Sequence, residues 1–321
     1  MGAENDELPE RHSIAPDLCA QLVEGCFHFG RLGDGVTRKL RGHRSSVAPV
    51  SHGRLRKVVL CGVLGFPVSH SRSPAMMNAA FAELRMDWRY VHLPIPPALF
   101  AETVRALAAS GYRGTNVTIP HKVAAHDLVD ELTPAAEAIG AVNTLIFDDR
   151  KDGRIRGDNT DAVGVIEALG TPVAGRRALV LGAGGAARAV VWALREAGAE
   201  VAVWNRTPGR ATALAAELGV RAVKRGEPAD ILVNATSVGL HGEDSIEDLP
   251  LTPSELVLDL VYGPEPTALT GWAESHGATV VDGLEVLVRQ GARSLELWTS
   301  RPAPLDAMRA AVRASSTSGQ P

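Results

Sequence analysis

Residues 182–187, Gly182-Ala183-Gly184-Gly185-Ala186-Ala187, follow the apolar run Arg177-Ala178-Leu179-Val180-Leu181 and lead into an apolar helical stretch. Strand, glycine-rich turn and helix in that order is the context in which GxGxx(G/A) holds the pyrophosphate of a dinucleotide. Gly182 suits the tight turn, Gly184 lets the backbone approach an anion, and small Ala187 allows close helix–strand packing. The helix N-terminus, with its free N–H groups, then points at the phosphates. At the end of the following strand an NAD site would carry Asp or Glu for the ribose 2′-hydroxyl. This chain has Asn205-Arg206-Thr207 and then Arg210 instead. Arg206 and Arg210, spaced i and i+4 at a helix start, could flank a 2′-phosphate by charge and paired hydrogen bonds, which selects NADP. Read singly, they are two solvated arginines beside a βα turn.

A second group with chemistry is the hydroxyl pair Ser71 and Ser73 in Ser69-His70-Ser71-Arg72-Ser73-Pro74. Two hydroxyls at a helix N-terminus make a reasonable receptor for a carboxylate. Taken alone, Ser73 reads as an N-cap followed by proline at the first helical position.

The elements that must position these groups alternate. Residues 58–65 form a continuous apolar run bounded by glycine, as in a strand buried on both faces. Helix 75–84, strand 88–93, helix 97–109, strand 114–118, a helix opening at Pro120 and running to 129, strand 141–147 and helix 161–169 follow. The pattern predicts a mostly parallel sheet. After the break at Gly170-Thr171-Pro172, a second series of strands occupies 177–181, 200–204, 231–233, 256–260 and 278–281. Helical stretches 284–298 and 305–312 are expected to return to the first sheet. The expectation is an α/β chain of two domains. A substrate-binding catalytic domain covers 58–165 plus 283–315, and a Rossmann-type cofactor domain covers 166–282. Residues 1–57, acidic at Glu4, Asp6, Glu7 and Glu10 and basic from Arg38 to Lys57, read as a disordered extension with no assigned function.

Composition narrows the partners. Across 321 residues the net charge is -4, which gives no field to collect nucleic acid or an anionic membrane, so a small-molecule ligand is expected. Aromatics are only 4 %, so core volume must come from Ala, Val and Leu, the usual filling of covered parallel sheets. Cys19, Cys26 and Cys61 form no CxxC pair and no metal-ligand spacing, so neither disulfides nor a metal are expected. No apolar run reaches the roughly 18 residues of a membrane span, and the acidic N-terminus lacks a secretory n-region, which predicts a cytoplasmic chain.

The motifs then converge. Gly65-Phe66-Pro67-Val68-Ser69-His70-Ser71-Arg72-Ser73-Pro74 resembles the GxPxxHSxSP signature of the shikimate dehydrogenase family. Asn116-Val117-Thr118-Ile119-Pro120-His121-Lys122 resembles its NVTxPxK, Gly140-Ala141-Val142-Asn143-Thr144 its GAxNT, and Gly157-Asp158-Asn159-Thr160-Asp161 its GxNTD. The resemblance spans roughly 58–300. It implies NADP-dependent, reversible reduction of 3-dehydroshikimate to shikimate, with Lys122 and Asp161 at the reacting oxygen. Hydride addition to a ketone leaves an alkoxide-like oxygen that needs a proton, which a lysine can give. The resemblance also implies that Ser71, Ser73 and Tyr262 meet the substrate carboxylate, and that Thr118, Asn143 and Gln290 meet its ring hydroxyls. The cofactor would lie on Gly182, Ala183, Gly184, Gly185 and Ala186, on Asn205, Arg206, Thr207 and Arg210, and near Thr236 and Gly283. Val286 and Ser300 depart from the methionine and glycine common in the family, which predicts altered packing near the nicotinamide.

Three rivals stay open. A quinate/shikimate dehydrogenase of broader specificity shares nearly every motif but usually carries an acidic residue near Asn205. Glutamyl-tRNA reductase resembles the second domain but needs a nucleophilic cysteine, for which mid-strand Cys61 is a poor candidate. A non-catalytic NADP-binding sensor would keep the fold without turnover. A monomer or a homodimer is expected.

Overall fold

Apolar runs become strands and the intervening periodic stretches become covering helices. The computed structural model describes residues 58–147, 153–240, 245–263 and 265–314, so the extension expected over 1–57 lies outside the described residues. In chain order the first series is β1 (Val59–Gly65), α1 (Ser73–Glu83), β2 (Trp88–Pro94), a 3-10 turn at Pro97–Leu99, α2 (Phe100–Ala109), β3 (Tyr112–Val117), α3 (Lys122–Leu128), β4 (Glu131–Leu132), α4 (Pro134–Ile139), β5 (Thr144–Phe147), β6 (Ile155–Asp158) and α5 (Asp161–Leu169). These strands make one sheet of order β2-β1-β3-β5-β6-β4. It is mostly parallel, with β5 antiparallel to both its neighbours.

The second series is β7 (Arg177–Leu181), α6 (Gly185–Glu196), β8 (Glu200–Trp204), α7 (Pro208–Leu218), β9 (Arg221–Ala222), β10 (Ile231–Asn234), β11 (Leu256–Asp259), α8 (Ala268–Ser275) and β12 (Thr279–Asp282), followed by α9 (Gly283–Thr299) and α10 (Leu305–Ala314). Its strands form a parallel sheet of order β12-β11-β10-β7-β8-β9. The order reverses between β7 and β10, and such a switch point opens a crevice at the carboxyl ends of the strands, where ligands bind.

Each sheet is covered on both faces. On the first, α1, α9 and α10 bury Met76, Phe81, Leu295, Trp298 and Met308 on one side, and α2, α3 and α4 bury Phe100, Val104, Ala125 and Ala136 on the other. On the second, α5, α6 and α7 cover one face through Val165, Val190, Leu194 and Leu214, and α8 covers the other through Leu269 and Ala273. Thus α9 and α10, late in sequence, do pack on the first sheet.

Three local expectations are corrected. The helix expected to open at Pro120 begins at Lys122, because Pro120 sits in a turn closed by the His121 N–H on the Thr118 carbonyl at 2.9 Å. Strand 141–147 starts only at Thr144, since the Val142 and Asn143 amides are used outside the ladder, on the Lys122 and Asp158 carbonyls. Ser73 is the first helical residue, not the cap. The N-cap is Arg72, and the Ser73 amide donates to Ser71 Oγ at 3.3 Å.

Candidate active site

The carboxyl ends of β1, β3 and β6 and the start of β5 meet at one edge of the first sheet. Lys122 opens α3 immediately after the turn that follows β3, and Asp161 opens α5 immediately after β6. Their side chains, 12 % and 14 % exposed, are held with Lys122 Nζ 2.5 Å from Asp161 Oδ2. The other carboxylate oxygen, Oδ1, accepts the Asn143 amide at 2.8 Å. Asn143 is itself fixed: its carbonyl oxygen accepts the Thr160 N–H at 2.8 Å, and its amide also reaches Thr160 Oγ1 at 2.9 Å and Gln290 Oε1 at 3.3 Å. Neither oxygen of Asp161 is left to rotate freely, so the ammonium has one aim.

Around this pair lies a cavity of about 380 Å³ lined from the first sheet by Ser71, Ser73, Thr118, Lys122, Asn143 and Asp161, from α9 by Gly283 and Gln290, and from the second sheet by Ala186, Thr236 and Tyr262. Ser71 Oγ donates to Ser73 Oγ at 3.2 Å. The Tyr262 phenol is raised above its ordinary value by burial, an effect opposed by its hydrogen bond to Ser71. Arg72 pins the tyrosine loop by donating to the Gly263 carbonyl at 2.5 Å, with its guanidinium carbon 5.8 Å from the centre of the Tyr262 ring. Three hydroxyls from two sheets thus cluster at one end of the cavity, with Lys122 and Asp161 at its wall.

The glycine turn stands at the switch point. Gly182 has φ +118°, and a Cβ there would come within 2.7 Å of the Ala235 carbonyl oxygen, so only glycine lets β7 and β10 exit side by side. Beside Gly184 the space is open to 4 Å, which leaves backbone accessible to a ligand. Ala187 is buried against the strand, as close packing requires. The neighbouring loop is fixed by Asp259, which accepts from Asn234 at 2.9 Å, Thr267 at 2.6 Å and the Val261 amide at 3.0 Å, while Asn234 holds the Thr236 hydroxyl at 2.7 Å. Burial raises Asp259 above the usual carboxylate range.

Gly182, Ala183, Gly184, Gly185, Asn205, Arg206, Thr207 and Arg210 do not line the cavity; they run from the glycine turn to the end of β8 and the start of α7. Thr207 is the N-cap of α7, so Arg206 precedes the helix instead of lying within its first turn, and only Arg210 is helical. Both arginines are exposed, and neither pairs with a carboxylate among the described residues. Open backbone at Gly184, a free helix N-terminus and two unpaired cations fit a phosphorylated dinucleotide.

Polar residues that line the cavity without an assigned role in the sequence are His70, Asn116 and Ser237. Asn116 is buried, lines the cavity, accepts the Tyr90 hydroxyl at 2.7 Å and donates to Thr144 Oγ1 at 3.0 Å and Ser294 Oγ at 2.9 Å. The strand itself, Tyr112–Val117, is too polar for Asn116 to stand out by type; its place inside the NVTxPxK match was the available signal. Cys61 is fully buried and its thiol is pushed up by burial, which removes it as a nucleophile. Among the described residues no cluster of His, Cys, Asp and Glu could hold a metal ion, and no helix is long and apolar enough to cross a membrane.

A dinucleotide crevice opening onto a cavity with a lysine–carboxylate pair is the arrangement of a pyridine-nucleotide oxidoreductase acting on a CH–OH group. Family models agree: residues 63–145 match the shikimate dehydrogenase substrate binding domain, 166–238 the shikimate/quinate 5-dehydrogenase model and 283–313 the shikimate 5′-dehydrogenase C-terminal domain. A shikimate dehydrogenase (NADP(+)) of Methanothermobacter thermautotrophicus is 44 % identical over 278 residues, covering 80 % of this chain and 96 % of that protein. The crystal structure of shikimate 5-dehydrogenase from Thermus thermophilus, in complex with NADP(H) and shikimate, superposes with a TM-score of 0.73 at 43 % identity over 80 % of this chain and 99 % of that one. The chain belongs to the shikimate dehydrogenase family.

Proposed function

We propose that the protein catalyses the reversible, NADP-dependent reduction of 3-dehydroshikimate to shikimate in the chorismate pathway, and that its residues act as follows. The observation that carries the reading is the Lys122–Asp161 pair, 2.5 Å apart with Asn143 behind it, in the wall of a cavity that the glycine-turn helix also lines. When bound, the nicotinamide supplies the hydride for reduction or accepts it in oxidation. As negative charge grows on the ketone oxygen, the Lys122 ammonium donates the proton; in the reverse direction the lysine amine removes the hydroxyl proton. Asp161 orients the ammonium. Ser71, Ser73 and Tyr262 receive the carboxylate, and Thr118, Asn143 and Gln290 receive the ring hydroxyls, which fixes the face offered to hydride.

Gly182, Ala183, Gly184, Gly185 and Ala186 hold the pyrophosphate, Arg206 and Arg210 with Asn205 and Thr207 hold the 2′-phosphate, and Thr236 and Gly283 flank the nicotinamide. In this reading residues 58–165 plus 283–315 are the catalytic domain and 166–282 the cofactor domain, in a cytoplasmic monomer or homodimer. Absorbance of reduced nicotinamide tests it, with shikimate or quinate and with NADP or NAD. Turnover of shikimate with NADP that Lys122→Ala abolishes is the expected result. Equal turnover of quinate would move the protein to the broader subfamily, and NADP binding without turnover would make it a sensor.

A further inference from the structure

Helix α6 does more than present the glycine turn. Gly185, Arg188, Ala189 and Trp192 are spaced i, i+3, i+4 and i+7 and share one face. Further along, Ala189 and Trp192 pack with Ile139, Ala141 and Ala162 of the first series. At the first turn the stem of Lys122 lies directly on Gly185, where a Cβ would stand 2.7 Å from Lys122 Cβ and 3.2 Å from Cδ. One turn on, Arg188 Nε donates to the Ile139 carbonyl at 2.6 Å, and Nη2 pairs with Glu217 Oε2 of α7 at 2.5 Å. The guanidinium occupies the space beside Gly140, the left-handed cap of α4 with φ +68°.

The chain that leaves Gly140 returns to the reacting pair. The Val142 N–H donates to the Lys122 carbonyl at 2.9 Å, and the Asn143 amide donates to Asp161. Two routes therefore run from α6 to one lysine. Gly185 supports its side chain, and Arg188 holds the segment that fixes its backbone and its carboxylate partner.

We propose that Arg188 is a positioning residue for the reaction: by clamping the end of α4 it sets, through Val142 and Asn143, the aim of the Lys122 ammonium. The inference rests on Lys122 being the proton donor. Its consequence is that the helix carrying the glycine turn at its N-terminus also braces the proton donor on α3. A misalignment of about 1 Å here lowers the rate of the chemical step without weakening dinucleotide binding.

Arg188→Met keeps the stem and removes both donors, and Arg188→Lys restores a cation with a single donating head. For Arg188→Met we expect kcat to fall about tenfold to a hundredfold while KM for NADP stays within about threefold. The Val142 amide, followed by hydrogen exchange, is expected to lose protection by about tenfold. Arg188→Lys should recover part of both effects. Unchanged kcat, a fall in kcat with Val142 protection intact, or a parallel loss of NADP affinity would each overturn the proposal. Should the unmodified protein fail to turn over shikimate, the functional reading fails, and Val142 exchange still decides whether Arg188 holds this segment.

Discussion

Asp161 has each carboxylate oxygen committed, Oδ2 to Lys122 and Oδ1 to Asn143, so replacing the charge without the shape isolates what the charge does. Asp161→Asn is expected to leave the fold intact and to lower kcat about a hundredfold, because the ammonium loses the partner that orients it. Pre-steady-state absorbance separates that loss from cofactor binding, and a variant with normal kcat would remove Asp161 from the reaction. Asn143→Ala differs in kind. It strands the buried Thr160 N–H, which should cost about 1–3 kcal/mol in urea unfolding in addition to activity. At this scale the sequence named most of the polar lining residues, because hydroxyl, amide, lysine and carboxylate types stood in motifs. It assigned no role to Asn116, whose partners lie 26 or more positions away, such as Tyr90 and Ser294. Nor did it reveal that the Ser71 hydroxyl would accept the Ser73 N–H.

Elements were legible in proportion to their length and apolarity. Strands β7 and β8 and helix α5 begin and end where the pattern puts them, whereas α4, α8, β4, β6 and β9 went unread. Those five are short, and what defines the two helices is capping: Thr133 Oγ1 accepts the Ala136 amide at 3.3 Å, and Thr267 Oγ1 accepts the Thr270 amide at 3.1 Å. Periodicity cannot register one or two turns. The late helices show what tertiary context adds. Glu285 on α9 accepts from Arg309 of α10 at 2.8 and 3.0 Å and from Arg289 at 2.8 Å, and these arginines, Arg309 foremost, lower its pKa from 4.5 to about 2. Because the folded value is depressed, the stabilisation is complete above about pH 4.5 and is lost as pH falls towards 2. Glu285→Gln should therefore cost about 1 kcal/mol at pH 7, a figure reduced for solvent screening, with the gap to the unmodified protein narrowing through that acid window in urea titrations. A gap independent of pH would show that the ion pairs do not hold α10. Gly114 reports on the same docking from the sheet side, since a Cβ there would overlap the Trp298 indole and the Leu145 carbonyl. Gly114→Ala should destabilise by about 1–3 kcal/mol.

For the whole molecule, neither sheet holds a complete site. Ser71, Lys122 and Asp161 stand on the first series, the glycine turn and Arg206 on the second, while Tyr262 reaches from the loop after β11 to Ser71 and α9 brings Gln290 to Asn143. The sequence shows two βα series but not that they share a cavity, because the periodic face of α6 that packs on Ile139, Ala141 and Ala162 does not name its partner, and the other contacts are single side chains. Cofactor binding should accordingly stabilise the whole chain, by about 2.7 kcal/mol when free NADP is a hundredfold above its Kd. In the proposed reading the exposed Arg206 and Arg210, one before α7 and one in its first turn, read only the 2′-phosphate. Removing both as Arg206→Ala/Arg210→Ala should cost NADP about tenfold to a hundredfold in affinity, from two exposed, solvent-screened charge pairs worth about 1 kcal/mol each. NAD has no such phosphate, so the thermal shift it produces should be unchanged in the double variant while the NADP shift falls towards it. Equal losses for the two nucleotides would mean that the arginines shape the turn instead of recognising the phosphate, and cofactor choice would then have to be sought at Asn205 and Thr207.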